Sequence, residues 1–204
     1  MREVNKGVAL SILVLILNAV FVAAQDCNRL RVTSTYDDLV SYLGKPAPTQ
    51  VDAECIAFAI NRLGEKRYEP AIPVLLKFLD FRWPRGAWQK QHYYLKRPNP
   101  SNVYVFPAAK ALEAMGKSAL PALLEVIKTG TTSRVGSETA VTIWMANFEN
   151  QRPRGVALLK QEADVARDPG VRLHLLQAVA RAADWCGPAD EAQCVAAARA
   201  HYAK

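Results

Sequence analysis

Three histidines, His92, His174 and His201, are all that this sequence offers to imidazole chemistry. None belongs to an HExxH pattern, which would set two zinc ligands one helical turn apart with a general base between them. No GxSxG elbow presents a nucleophilic serine, and no GxxxxGK[ST] loop cradles phosphate. His174 has apolar neighbours in a helical pattern and reads as a packed helix residue. Cys186, Cys194 and His201 lie close enough in sequence for a zinc site, but a disulfide accounts for the same cysteines with fewer assumptions. Asp37 and Asp38 are adjacent. Neighbours on a helix diverge, so the pair reads as first-turn partners of the helix dipole rather than converging carboxylates. The expectation is a protein without catalytic residues, metal or cofactor. An enzyme with an unrecognised site stands as a competing reading.

The richest recognition chemistry lies at about 81–103, in FRWPRGAWQKQHYYLKRPNPSNV. Trp83, Trp88, His92, Tyr93 and Tyr94 are interleaved there with Arg82, Arg85, Lys90, Lys96 and Arg97. Trp, Tyr and Arg most often carry binding energy at interfaces, and their planes stack on sugars, bases or one another. So long a stretch without periodicity is uncommon inside a compact domain unless it has a role of its own. Two readings stand. The first is a recognition loop, with Trp88, Tyr93 and Tyr94 as anchors and Arg85 and Lys90 as charged guides; Trp83 and Trp88 would be its stacking platforms if the ligand were carbohydrate. The second is a flap whose aromatics fold back over one edge of the fold. Single-stranded nucleic acid suits the same residues chemically, but signs of export argue against it as a physiological partner.

Those signs are at the N-terminus. Arg2 and Lys6 precede an almost wholly apolar run from Val8 to Val22, followed by small Ala23 and Ala24 and polar Gln25 and Asp26. This is the pattern of a secretory signal peptide over 1–24, with an uncleaved membrane anchor as the alternative. Asp26 before Cys27 argues against lipidation of that cysteine. Cys27, Cys55, Cys186 and Cys194 all follow the expected cleavage point, and an even count in an oxidising compartment reads as two disulfides. Three pairings are possible; Cys27–Cys55 and Cys186–Cys194 are favoured as pins at the two ends. The formal charge is +7 over 204 residues, and half of the chain is hydrophobic. That favours anionic partners and provides for one well-filled core.

The elements that must position these residues read as helices. Ile72, Leu75, Leu76 and Leu79 recur at i, i+3, i+4 and i+7, as do Leu120, Leu123, Leu124 and Ile127, and Ala108, Ala111, Leu112 and Met115. ECIAFAINRLGEKRYEPAIPVLLKFLD, from Glu54, and PAAKALEAMGKSALPALLEVIK, from Pro107, share one plan: an Ala-rich helix, a Gly after a hydrophobic residue (Gly64, Gly116), a turn, and a Pro near the start of a Leu-rich helix (Pro73, Pro121). A third unit has a helix that begins around Ala140, Ile143 and Trp144, with a partner from Gly155. A fourth opens at Asp168, an N-cap, with Pro169 at the first helical position, and ends with a helix at about 188–202. Thr35 to Leu43 forms a short helix ahead of the repeats, within an extension over 25–48. No region alternates at period two, so no sheet is expected.

The segments 54–80, 107–128 and 169–184 resemble HEAT repeats, in the short form of phycobilisome-lyase-like proteins; PGVRLHLLQAVARAAD is near that family's usual first helix. The resemblance implies an all-α fold, an α-α superhelix (HEAT-like solenoid) of about four helix pairs over 49–204. Such pairs bury their faces only by stacking. The second helix of each pair would line an inner binding face, with Lys77, Glu125, Lys128 and Lys160 exposed on it. Some HEAT-type hydroxylases hold two irons with His-Glu pairs, and no His-Glu dipeptide occurs here. The expected function is an exported protein–protein interaction module, an adaptor or assembly factor. Its partner would be another protein of the envelope or extracellular space, with nucleic acid excluded and membrane involved only if the signal stays uncleaved.

Overall fold

The computed structural model describes residues 30, 32, 34–45, 53–83, 105–130, 133–187 and 190–199. The expected signal segment 1–24, Cys27 and the expected binding residues Arg85, Trp88, Lys90, Tyr93 and Tyr94 lie outside the described residues. Within them the chain is all helical and contains no strand.

The order is α1 (Tyr36–Leu43), α2 (Ala53–Glu65), α3 (Ile72–Leu75), α4 (Pro107–Met115), α5 (Leu120–Thr129), α6 (Arg134–Ala146), α7 (Arg152–Val165), α8 (Pro169–Ala183) and α9 (Glu191–Arg199). Short 3-10 turns, Glu69–Ala71 and Leu76–Phe78, extend α3 at both ends, and another, Gly116–Ala119, leads into α5. Helices α2, α4, α6 and α8 form one layer, each packed on the next. The other layer sits against it: α3 on α4, α5 on α6 and α8, and α7 on α6, α8 and α9. This is an α-α superhelix of neighbouring pairs.

Local chemistry explains where these helices start. Thr35 caps α1 through a capping box. Its hydroxyl accepts the Asp38 N–H at 3.2 Å, while Asp38 Oδ2 accepts the Thr35 N–H at 2.8 Å. Asp168 caps α8 by accepting the Val171 N–H at 2.8 Å, with Pro169 next to it. Ser133 caps α6, so that helix begins at Arg134 rather than around Ala140. Helix α7 begins at Arg152, with Pro153 in its first turn, three residues before the Gly155 expected to open it. Only one of the two repeat glycines ends a helix. Gly116 does so at φ +65°. Gly64 lies inside α2, one residue from its end, and the backbone leaves the right-handed region at Arg67 (φ 50°) instead. Gly64 serves packing: a Cβ there would stand 2.7 Å from Ala111 Cα, so its absence lets α2 and α4 approach closely.

A continuous core runs the length of the stack, from Leu39 and Leu43 on α1, through Ile60, Leu63, Leu75, Leu112 and Leu123, to Leu159, Leu175 and Ala182. Cys186 and Cys194 form a disulfide that ties the end of α8 to α9. Cys55, buried in α2, is disulfide-bonded as well; its expected partner Cys27 lies outside the described residues. No helix among the described residues is long and apolar enough to cross a membrane.

Candidate functional site

The turn from the first repeat into the second passes Phe78, Leu79, Asp80, Phe81, Arg82 and Trp83, and the chain returns at Val105 and Phe106. Both ends of the intervening stretch are anchored to each other. The Trp83 N–H donates to the Val105 carbonyl at 3.1 Å. The Arg82 guanidinium lies over the Phe106 ring, 5.6 Å from its centroid, and Phe106 is itself buried. Phe78 and Phe81 meet edge to face at 6.0 Å. Trp83 is only 8% exposed. It anchors this neck from inside the fold rather than offering an open ring face.

The start of α6 rises beside the neck. Ser133 Oγ accepts the Gly136 N–H at 3.1 Å and donates to Asp80 Oδ2 at 2.8 Å. The Asp80 carboxylate thus sits at the N-terminal end of α6, where the helix dipole favours negative charge. That link joins the turn after the first pair to the turn after the second.

Two hollows flank the junction. The larger, of about 510 Å³, is floored by Pro73, Leu76, Leu79 and Val126 and edged by Lys77 and Asp80. Leu76 is half-buried while Pro73 and Lys77 are exposed, so the apolar floor opens to solvent. The smaller, of about 240 Å³, lies between the neck (Arg82, Val105, Phe106) and the opposite side of α6 (Val135, Glu138, Thr142). Glu138 accepts from Arg134 Nε at 3.0 Å and faces Arg181 of α8 at 4.0 Å. The Thr142 hydroxyl donates to the Glu138 carbonyl at 2.9 Å, which leaves its oxygen lone pairs as acceptors.

The other inner-face residues expected from sequence are engaged elsewhere. Lys128 bridges Glu162 of α7 at 2.7 Å and Glu125 at 3.5 Å. Its hydrogen bond to Glu162 raises its pKa above the usual lysine value, the two carboxylates outweighing partial burial. Lys160 pairs with Asp164 at 2.7 Å. Lys77 lines the larger hollow. His174 Nδ1 lies 3.0 Å from the Lys128 carbonyl and its ring packs where a Cβ on Gly130 would stand, so it joins α8 to the end of α5. Asp38 is in the capping box, and Asp37 accepts from the Tyr68 hydroxyl at 2.5 Å, a bond that raises the phenol pKa. No group of three or more His, Cys, Asp or Glu among the described residues is placed to hold a metal.

Sequence reading named Arg82 only as one basic residue of the insertion and passed over Ser133, Glu138 and Arg181. Ser133 did carry a signal, an N-cap residue ahead of a helix. Glu138 and Arg181 carried none, since each looks like an ordinary charge on a solvated helix. No family model, no curated protein and no solved structure matches this chain.

Proposed function

We propose that this chain is an exported, HEAT-like repeat protein that binds another protein of the envelope or extracellular space, as an adaptor or assembly factor rather than an enzyme. The observation that carries the reading is the apolar hollow of about 510 Å³ at the junction of the first two repeats, open to solvent and bordered by single charges. An apolar centre with a polar rim is the anatomy of a protein interface. The aromatic and basic stretch 84–104 is joined to the fold at Trp83 and Val105, and its residue types are those of interface anchors. Export is supported by the apolar leader pattern and by the Cys186–Cys194 disulfide, a bond that persists in oxidising compartments.

The test is photo-crosslinking in cells from a reactive residue at exposed position 77, in the full chain and in a Leu76→Glu variant. A dominant exported or membrane protein captured by the first and lost in the second is the expected result. Capture that ignores Leu76→Glu, or adducts only within the chain from a folded protein, would sink the reading.

A further inference from the structure

The smaller hollow has a chemistry of its own. Its walls are apolar at Val105, Phe106 and Val135, and one end presents the Arg82 guanidinium. Among the described residues no carboxylate forms an ion pair with Arg82, whose guanidinium carbon lies 5.6 Å from the centroid of the Phe106 ring. A contact with a ring face does not use the N–H donors, which can serve a ligand. Glu138, by contrast, is engaged by Arg134 and faces Arg181. The formal balance of Arg82, Arg134 and Arg181 against Glu138 is positive.

From this geometry we infer that the hollow receives one carboxylate side chain from an acidic segment of the partner, with Arg82 as its binding residue. The inference rests on the protein-binding reading above. About 240 Å³ suits a short alkyl stem with a planar head, and little more. The apolar walls match the stem, and the guanidinium fork matches a carboxylate in two parallel hydrogen bonds. Glu138 adds a second contact: both arginines meet its Oε1, and its Oε2 accepts from a donor next to the carboxylate, as a peptide N–H would supply. The net charge of the chain agrees: at +7 it favours an acidic segment over a basic one.

The experiment uses the full mature chain and a fluorescein-labelled oligoglutamate peptide, with oligoglutamine and phosphatidylserine vesicles as comparison probes, followed by anisotropy and co-sedimentation. Oligoglutamate should bind and oligoglutamine should not. Arg82→Gln should weaken binding by roughly tenfold, the cost of one charge-assisted contact. Thr142→Met, which fills the hollow without changing charge, should weaken it similarly, whereas a merely diffuse positive patch would be indifferent to that change. Circular dichroism confirms that both variants fold. Wild-type affinity in Arg82→Gln, or a loss seen only when Arg85, Lys90, Lys96 and Arg97 are all replaced, overturns the assignment. So does Arg82-dependent vesicle binding without peptide binding. If peptide binding ignores Arg82 while the position 77 adducts persist, the subsite falls and the protein-binding reading stands. If those adducts are absent from a folded protein, that reading falls and the subsite with it.

Discussion

The two halves of the superhelix are held together by different means. In the first half, α2, α3, α4 and α5 bury large aliphatic side chains, among them Ile56, Ile60, Leu63, Leu75, Leu79, Leu112 and Leu123. Contact is close enough there that Gly64 and Ala111 leave no room for a methyl between them. In the second half, α6 still buries Val141, Ile143 and Met145, but beyond it the fully buried positions described in α7, α8 and α9 are fewer and smaller (Val156, Leu159, Ala163, Leu175, Ala182, Cys194), while Leu173 and Val165 are exposed. Specific bonds make up the difference: Trp144 Nε1 donates to the Gly155 carbonyl at 3.0 Å, Lys128 reaches Glu162, His174 meets the Lys128 carbonyl, and Cys186 is joined to Cys194. A half built on aliphatic burial tolerates loss of any single polar contact. A half with fewer buried aliphatic side chains draws a larger share of its stability from each such bond.

Substitutions should separate the two regimes. The largest effect should come from the first half. Leu112→Ala leaves a cavity at a site with no exposure and should cost about 3 kcal/mol in chemical denaturation. A cost below about 1 kcal/mol would mean that this layer is loosely packed and the contrast is false. Next, replacing Cys186 and Cys194 together by Ser should cost about 2 kcal/mol, since the bond closes only a short loop, with the loss in hydrogen-exchange protection concentrated in α9. Uniform loss along the chain would instead make the clasp part of one cooperative unit. Trp144→Phe removes the buried indole N–H bond to the Gly155 carbonyl, which keeps its place in the α7 ladder; about 1 kcal/mol is expected.

The ionic contacts should matter least. Glu162→Gln removes the partner of Lys128 between α5 and α7. At partly exposed positions the loss should be about 0.5–1 kcal/mol and should shrink in high salt. The raised lysine pKa sets the sign of its pH dependence. The contribution is complete below the ordinary lysine value and fades only as pH climbs through the higher folded value, so the effect of Glu162→Gln should be the same at pH 6 and pH 8. Glu113 gives the opposite kind of test. Crowding by neighbouring atoms, and then the Glu149 charge, raise its pKa, although its side chain is exposed by area. An acid with a raised folded pKa favours folding when protonated, and that advantage is lost as pH rises through the folded value. Glu113→Gln should therefore raise the thermal midpoint slightly at pH 7 and leave it unchanged well below the usual glutamate range. A lowered midpoint at pH 7 would show that the carboxylate makes a favourable contact instead.

The helices were legible because their determinants are local. Apolar residues at i, i+3, i+4 and i+7 fix a buried stripe whatever surrounds it, and Thr35, Asp168 and Gly116 end or begin helices through bonds to residues three or four positions away. Where the reading slipped, a local signal had a non-local use. Gly64 looked like a helix terminator, but the approach of α4 is what requires it. Pro153 in QRPRG was a helix-start signal passed over in favour of Gly155.

By itself, then, the sequence determined the all-helical class, the pairing of helices and the cap at Asp168, because each follows from composition or from neighbours along the chain, and it favoured the Cys186–Cys194 bond among three possible pairings. Only the tertiary structure decided that Arg82 and Glu138 line one hollow with Arg181 facing Glu138, and that Asp80 holds the start of α6 through Ser133. These residues are tens of positions apart. What brings them together is the packing offset of one helix layer on the next, a quantity that depends on side chains along the whole stack and on none of the five alone.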